Sequence, residues 1–477
     1  MTMLRADLAV LGGGPGGYTA AFRAADLGQR VCLIERHSTL GGVCLNVGCI
    51  PSKALLHVAK TIEDTKEMAA AGIDEVGHPV DIEKLRSWKQ GLVDCMAGSL
   101  AALAKQRKVQ VLQGTASFTS ANTLRVESPD AVHTISFSHC IIATGSRAAT
   151  LPNTPDDPRI WQSTQALALE SIPKRLLIVG GGAIGLEMAT IFSALGSAVS
   201  LVELQKQLMP EADPDLLKPL ERRLAKRLHG IRLNSRVSRL AVMNQHIAVD
   251  IECGGVTKTD NFDGVLVAIG RRPNTHAIAA HVAGIEVYES GFIAVNAKLQ
   301  TNVAHIFAVG DVIGGPMLAH KATHEGRQAA EIICGLRSEY DQRPIPSVVY
   351  TDPEVAWVGI TQTQAKSAGI VTETATFPWA ANGRALTMMR GEGLTKIVFD
   401  PTTRKLLGAG IVGISAGDLI GEVVMGLEMG ATTTDLCNAI HPHPTLTETV
   451  GAAGGIAEGT ITDILVPRLR AVARAML

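Results

Sequence analysis

The chain carries one unit twice. Residues 7–35 read DLAVLGGGPGGYTAAFRAADLGQRVCLIE, and residues 175–203 read RLLIVGGGAIGLEMATIFSALGSAVSLVE. Gly12, Gly14 and Gly17 recur as Gly180, Gly182 and Gly185, Gly28 as Gly196, and Glu35 as Glu203, at a single offset (180 − 12 = 168) with no gap. Each copy is an apolar run, a glycine turn, a stretch with helical apolar spacing, and a second apolar run closing on Glu. That order is the context in which G-x-G-x-x-G binds a dinucleotide. The first Gly makes the tight turn, the second lets backbone approach a pyrophosphate, and the third lets helix and strand pack closely. The pyrophosphate then rests on free N–H groups at the helix N-terminus. The closing Glu accepts hydrogen bonds from a ribose diol and repels a 2′-phosphate. Two such units at equal spacing predict two dinucleotide sites, and the repeat alone leaves open which cofactor each takes.

A chain of 477 residues exceeds one ordinary core and predicts roughly three or four domains. Hydrophobic residues at 46% against 19% charged give a globular balance. With a net charge of −1 and no run of Lys or Arg, a nucleic-acid footprint is not expected. No apolar stretch reaches the roughly 18 residues of a membrane span. Arg5, Asp7 and the early glycines also argue against a signal peptide. Eight cysteines are too sparse for a secreted disulfide scaffold. A soluble, cytoplasmic enzyme is the simplest reading.

Two of those cysteines stand apart. Residues 41–53, GGVCLNVGCIPSK, place Cys44 and Cys49 five apart where a long helical pattern starts. Cysteines so spaced can close a small ring, and helix N–H groups favour the thiolate that performs exchange. A structural disulfide or two buried thiols is the alternative, and a redox pair suits a reducing compartment better. The other six have no such partner and read mostly as core thiols.

Residues 441–448, HPHPTLTE, form a second candidate site. Proline beside each His keeps the stretch out of a helix. A carboxylate on one ring nitrogen would fix the tautomer and leave the other nitrogen to take a proton. Glu448 can serve so, or Thr445-x-x-Glu448 can be a capping box; both readings stand. Further apolar runs end at Thr144-Gly145-Ser146, at Gly270 and at Gly310-Asp311. Asp311 either holds cofactor hydroxyls or caps the next helix.

Over essentially its whole length the chain resembles the class I pyridine nucleotide-disulfide oxidoreductases, through GGVCLNVGCIPSK, ATGSR, VAIGRRPN, FAVGDV, MLAHKATHEG and HPHPTLTE in that order. The resemblance implies an α/β fold of two Rossmann-like dinucleotide-binding domains and a C-terminal α+β dimerisation domain. It implies an FAD domain over 1–150, an NAD domain over 151–280, a segment over 281–345 returning to the FAD domain, and an interface domain over 346–477. The cofactors would be held by Gly12, Gly14, Gly17, Glu35, Arg36, Gly42, Lys53, Ala116, Thr144, Gly145, Ser146, Gly180, Gly182, Gly185, Glu187, Glu203, Val237, Gly270, Asp311, Met317, Leu318, Ala319 and His320. The first repeat would take FAD, with Glu35 on its ribose and Asp311 on its ribityl chain, and the second NAD, with Glu203 setting specificity; Lys53 would lie near the flavin ring and pair with Glu187.

The resemblance further implies that Cys44 exchanges with the substrate thiol and Cys49 faces the flavin. His443, with Glu448, would be the base, serving the cysteines of the other subunit of a homodimer. The match is strongest to the branch that oxidises dihydrolipoyl groups. Its partners are lipoyl domains of a 2-oxo acid dehydrogenase complex (E2) or the glycine cleavage H protein. Val43 and Pro442 depart from the commoner Thr and Ala without removing a functional group. Glutathione reductase is the nearest rival, but Glu203 is followed by Leu204-Gln205-Lys206-Gln207, with no Arg for a 2′-phosphate. A mainly structural subunit is the other rival, and both cysteines and both glycine motifs speak against it.

Overall fold

In the computed structural model, which describes residues 2–73 and 80–466, the chain forms two compact units. The first comprises Met1–Val58, Met68–Ser171 and Leu266–Gln342. Its sheet runs in the order Gln110–Gln113, Val31–Glu35, Thr2–Leu11, Val132–Ile142, Thr123–Glu127, Thr115–Ser120. The first four strands are parallel and the last two join antiparallel, while Ile306–Ala308 pairs parallel with the far end of Val132–Ile142. Alternation along Thr2–Leu11 assigns its apolar residues to opposite faces. Leu8 and Val10 enter one core with Leu33 and Ile141, whereas Ala9 and Leu11 enter the other with Cys32, Ile34 and Ile142. Because both faces are covered, these strands read as continuous apolar runs.

Helix Pro15–Asp26 packs on helix Ala319–Ile333. A Cβ on Gly326 would lie 2.2 Å from Gly16 O, so glycine sets how closely these helices approach.

The second unit comprises Ala59–Glu67, Ile172–Val265 and Arg343–Leu477. Strands Arg175–Val179, Ala198–Val202 and Gly230–Arg232 are parallel. The register repeats that of the first unit: Leu8 pairs Val31 and Leu176 pairs Val199, both members displaced by the same offset. Ser235–Val242, Ile247–Cys253 and Val256–Phe262 form an antiparallel meander. The C-terminal part is an antiparallel sheet ordered Ser347–Val349, Glu354–Gly359, Leu406–Gly413, Leu394–Phe399, Glu373–Pro378. Trp379 is fully buried against it and donates to Thr395 Oγ1 at 3.0 Å. The indole occupies the space a side chain on Gly393 or Gly413 would need. The expected α/β architecture with a C-terminal α+β part is what the chain adopts.

One described helical run, Gly42–Ala71, is long and apolar enough by composition to cross a membrane, which the sequence reading did not anticipate. It breaks at Gly48 (φ −140°, ψ −111°), contains Lys53, and carries the ion pairs Lys60–Asp64 and Lys66–Glu63 along its second half. Those features fit a helix of a globular domain.

Candidate active site

The two glycine turns have the same geometry. Gly12 N–H donates to Ile34 O and Gly180 N–H to Val202 O, each at 2.8 Å. Gly12 (φ +103°) and Gly180 (φ +113°) need glycine for their backbone alone. A Cβ on Gly17 would lie 1.8 Å from Gly12 O, and one on Gly185 2.0 Å from Gly180 O. Those four glycines are therefore required by the fold. Gly14 and Gly182 differ: an added Cβ would meet nothing nearer than Gly42 Cα at 3.9 Å in the first case and nothing within 4 Å in the second. Both are N-caps of 12-residue helices, and neither supplies a side-chain cap. Uncapped N–H groups beside open space suit a pyrophosphate, so the residues present fit a dinucleotide in each unit.

Each closing Glu is tied to its own turn. Glu35 Oε2 accepts from Gly13 N at 2.7 Å and Oε1 from His37 N at 3.0 Å. Glu203 Oε2 accepts from Gly181 N at 2.5 Å and Oε1 from Gln205 N at 2.7 Å. The sequence reading overlooked Gly13 and Gly181, whose N–H groups orient these carboxylates. It also stopped the repeat too early. Leu40 and Leu208 abut the two turns, and Gly41 N–H donates to Gly13 O as Met209 N–H does to Gly181 O, all at the same offset. Arg36 is exposed with its Nε on His37 Nε2.

Beyond Gly41 the first copy departs from the second and enters helix Gly42–Val47. Gly42 (φ +58°) rests against the first turn, where a Cβ would come 2.7 Å from Gly14 Cα. Asn46 Nδ2 donates to Leu40 O and Gly42 O, holding the helix start. Cys44 and Cys49 are free thiols, Cys44 half-buried and Cys49 exposed. A hydrogen bond to Cys49, burial and the charge of Cys49 push the Cys44 thiol far up, and Lys53 offsets only part. The net shift favours the protonated thiol at Cys44.

Ser146 Oγ donates to Asp311 Oδ2 at 2.5 Å and accepts from Arg271 Nε at 2.6 Å. Arg271 also donates to Ser146 O at 2.8 Å. Burial pulls the Arg271 pKa down, while Asp311 and Cys49 act the other way. The sequence reading named Ser146, Gly270 and Asp311 separately; it missed Arg271, the cation joining them. Thr144 Oγ1 donates to Asn274 O, and Asn274 returns a bond to Thr144 O. Met317 and Leu318 precede helix Ala319–Ile333, whose N-cap Leu318 offers no side-chain cap. Ala319 and His320 open that helix. Ala116 lies in the apolar core, leaving only its backbone for a ligand.

In the second unit Val237 sits at a register shift in its strand, opposite Ile251. Glu187 is buried and accepts from Tyr350 N at 3.2 Å. His443 Nδ1 lies 2.8 Å from Glu448 Oε1, and Glu448 Oε2 accepts from Thr445 N at 2.7 Å. The helix begins at Glu448 itself, and Thr445 Oγ1 turns to Pro442 O, so only the glutamate half of a capping box exists. Burial works against ionisation of Glu448, but the Thr445 N–H and His443 hold its pKa below the usual range. The His443 side chain is 79% exposed and that of His441 12%. His441 is committed to Glu422 at 2.7 Å and pressed onto Gly451, where a Cβ would lie 2.9 Å from the ring. Of the two histidines only His443 presents a ring nitrogen outward.

A family model described as pyridine nucleotide-disulphide oxidoreductase matches residues 6–326. The chain belongs to this family. The model for the family's dimerisation domain matches residues 345–453. The dihydrolipoyl dehydrogenase of Vibrio cholerae is 49% identical over 464 residues, covering 97% of each chain. That of Bacillus subtilis is 41% identical over 97% of this chain and 98% of its own. Among solved structures, the Cu(II) complex of the HOCl-induced flavoprotein disulfide reductase RclA from Escherichia coli superposes with TM-score 0.84 at 28% identity. That match covers 94% of this chain and 99% of the other. As a pyridine nucleotide-disulphide oxidoreductase the protein is an oxidoreductase that uses a flavin and a pyridine nucleotide.

Proposed function

We propose that the protein is a dihydrolipoyl dehydrogenase, oxidising protein-bound dihydrolipoyl groups and reducing NAD⁺. Near-full-length similarity to enzymes of that name carries the reading, and the Cys44–Cys49 pair and the His443–Glu448 pair support it. The first glycine turn takes FAD, with Glu35 toward its adenosine ribose and Asp311 toward its ribityl hydroxyls. The second takes NAD⁺, with Glu203 selecting against a 2′-phosphate. Residues 1–150 and 281–345 serve the flavin, 151–280 the nicotinamide dinucleotide, and 346–477 a homodimer interface.

In the thiol half-reaction, His443 takes a proton from one substrate thiol while Glu448 holds its Nδ1 and stabilises the imidazolium. The substrate thiolate attacks Cys44 of the Cys44–Cys49 disulfide, that S–S bond breaks, and Cys49 leaves as thiolate. The second substrate thiol displaces Cys44 from the mixed disulfide. Its sulfur forms the lipoyl ring, and Cys44 leaves as the thiol. Two electrons now reside on the cysteine pair. FAD, when bound, supplies the route that carries that pair to NAD⁺ as hydride and restores the disulfide. The hydrogen bond to Cys49 and burial favour the thiol form of Cys44, the form in which it leaves the mixed disulfide. The partners are lipoyl domains of an E2 core or a glycine cleavage H protein, with His443 serving the cysteines of the other subunit.

The test is anaerobic mixing of purified protein with dihydrolipoamide, followed by NAD⁺ or NADP⁺. A long-wavelength thiolate-to-flavin band, then NADH in strong preference to NADPH, is the expected result. A flavin left oxidised by dihydrolipoamide but reduced through NADPH, with turnover of glutathione disulfide, would replace the assignment.

A further inference from the structure

Helix Ala319–Ile333 carries a buried ion pair that the reaction above does not use. Lys321 Nζ and Glu325 Oε1 are 2.8 Å apart, with side chains 7% and 3% exposed. Glu325 Oε2 accepts from Gly310 N at 2.8 Å. Among the described residues Lys321 Nζ has no further hydrogen-bond partner, and its aliphatic stem runs beside Gly315, where a Cβ would lie 3.4 Å from Cε. Burying two charges costs several kcal/mol each, and packed apolar residues at such places are often no less stable. The pair is therefore poor value as packing alone.

Its one directed contact fixes a turn. Gly310 has φ +78° and opens the short helix Gly310–Ile313. The next residue is Asp311, which holds Ser146 Oγ at 2.5 Å, itself held by Arg271. Gly310 cannot stiffen this turn, because glycine is conformationally free. The Glu325 carboxylate supplies the missing restraint from the buried face of the turn. Burial pushes the Glu325 pKa up, and the charge and hydrogen bond of Lys321 offset part of that rise.

We infer that Glu325, supported by Lys321, is a positioning residue that fixes the Gly310–Asp311 turn so that Asp311 meets the flavin's hydroxyl chain preorganised. This rests on the assignment of Asp311 to FAD. Glu325 touches neither substrate nor flavin in this reading, and acts through one backbone N–H.

The test measures FAD dissociation from the holoenzyme by flavin fluorescence on dilution, alongside thermal melts. Glu325→Gln/Lys321→Met keeps an acceptor for Gly310 N–H and leaves no lone buried charge. Glu325→Leu/Lys321→Met removes the acceptor. The first should retain FAD within about threefold of the parent, and the second should release it roughly tenfold or more readily. Glu325→Asp, which keeps the ion pair and withdraws the oxygen, should fall between them and serves if the Leu variant does not fold. Equal FAD retention in all these variants, whatever their melting temperatures, overturns the inference. Asp311→Ala is measured in parallel. If it retains FAD like the parent, the Asp311 assignment is wrong and the inference falls with it. If it loses FAD while the Glu325 variants do not, only the positioning role fails.

Discussion

The Glu448 carboxylate is shared: Oε1 lies 2.8 Å from His443 Nδ1, and Oε2 accepts the Thr445 N–H at 2.7 Å. One side chain thus orients the exposed imidazole and pins the loop that carries it to the start of helix Glu448–Glu458.

Removing the base should separate the two half-reactions. His443→Ala is expected to lower dihydrolipoamide-dependent turnover by about 10²–10⁴-fold, while NADH oxidation by an artificial acceptor changes little. Glu448→Gln, which still accepts from Thr445 N–H, should lower it less. Steady-state rates with both electron acceptors decide this.

The two cysteines should differ in spectrum. Cys44→Ser leaves Cys49 to carry the thiolate and is expected to retain a long-wavelength flavin band without any reductant. Cys49→Ser should lose that band, since it removes the sulfur assigned to the flavin side. Both should abolish lipoyl turnover. A band in the Cys49 variant and none in the Cys44 variant would reverse their roles.

Glycine substitutions should sort by their surroundings. Gly17→Ala and Gly185→Ala place a methyl within 2.0 Å of backbone oxygen and should give little folded protein. Gly14→Ala and Gly182→Ala meet no such obstacle. They should fold with melting temperatures near the parent, yet weaken FAD retention and raise the KM for NAD⁺ respectively, each by roughly tenfold or more. Flavin content and nicotinamide kinetics distinguish the pair.

Acid stability should track Asp352. Burial opposes its ionisation, but Arg390, Arg223 and Arg227 together hold its pKa below the ordinary value. Arg223 and Arg227 sit 2.9 and 3.0 Å from Oδ2. A depressed folded pKa contributes stability above the unfolded value and loses it as pH falls through the folded one. Melting temperature should therefore decline below about pH 4, and less steeply in Asp352→Asn. Arg390→Met, which strips one partner from a buried pair, should cost about 3–5 kcal/mol at neutral pH. Thermal melts across pH test both.

The repeat at one offset determined much of this protein's local structure. Local spacing of glycine, apolar residues and Glu encodes strand, turn and helix, because Gly17 and Gly185 meet backbone only a few residues away and Gly12, Gly28, Gly180 and Gly196 hold left-handed turns. Cys44 with Cys49, and His443 with Glu448, were legible for the same reason, since five positions fix their neighbourhood. The step to Glu448 singled out His443 within the family pattern, but not what occupies His441. That depended on Gly451 and Glu422, which reach His441 only once the chain has folded. Nor could the sequence reveal that Ser146 links Arg271 and Asp311, 125 and 165 positions along the chain, or that Glu325 accepts from Gly310 N. A buried charge has no periodic signature, and its partner is chosen by packing. The sequence by itself determined the two glycine turns and set Cys44 near Cys49 and His443 near Glu448. Only the tertiary structure decided which ring nitrogen faces outward and which buried groups hold the turns in place.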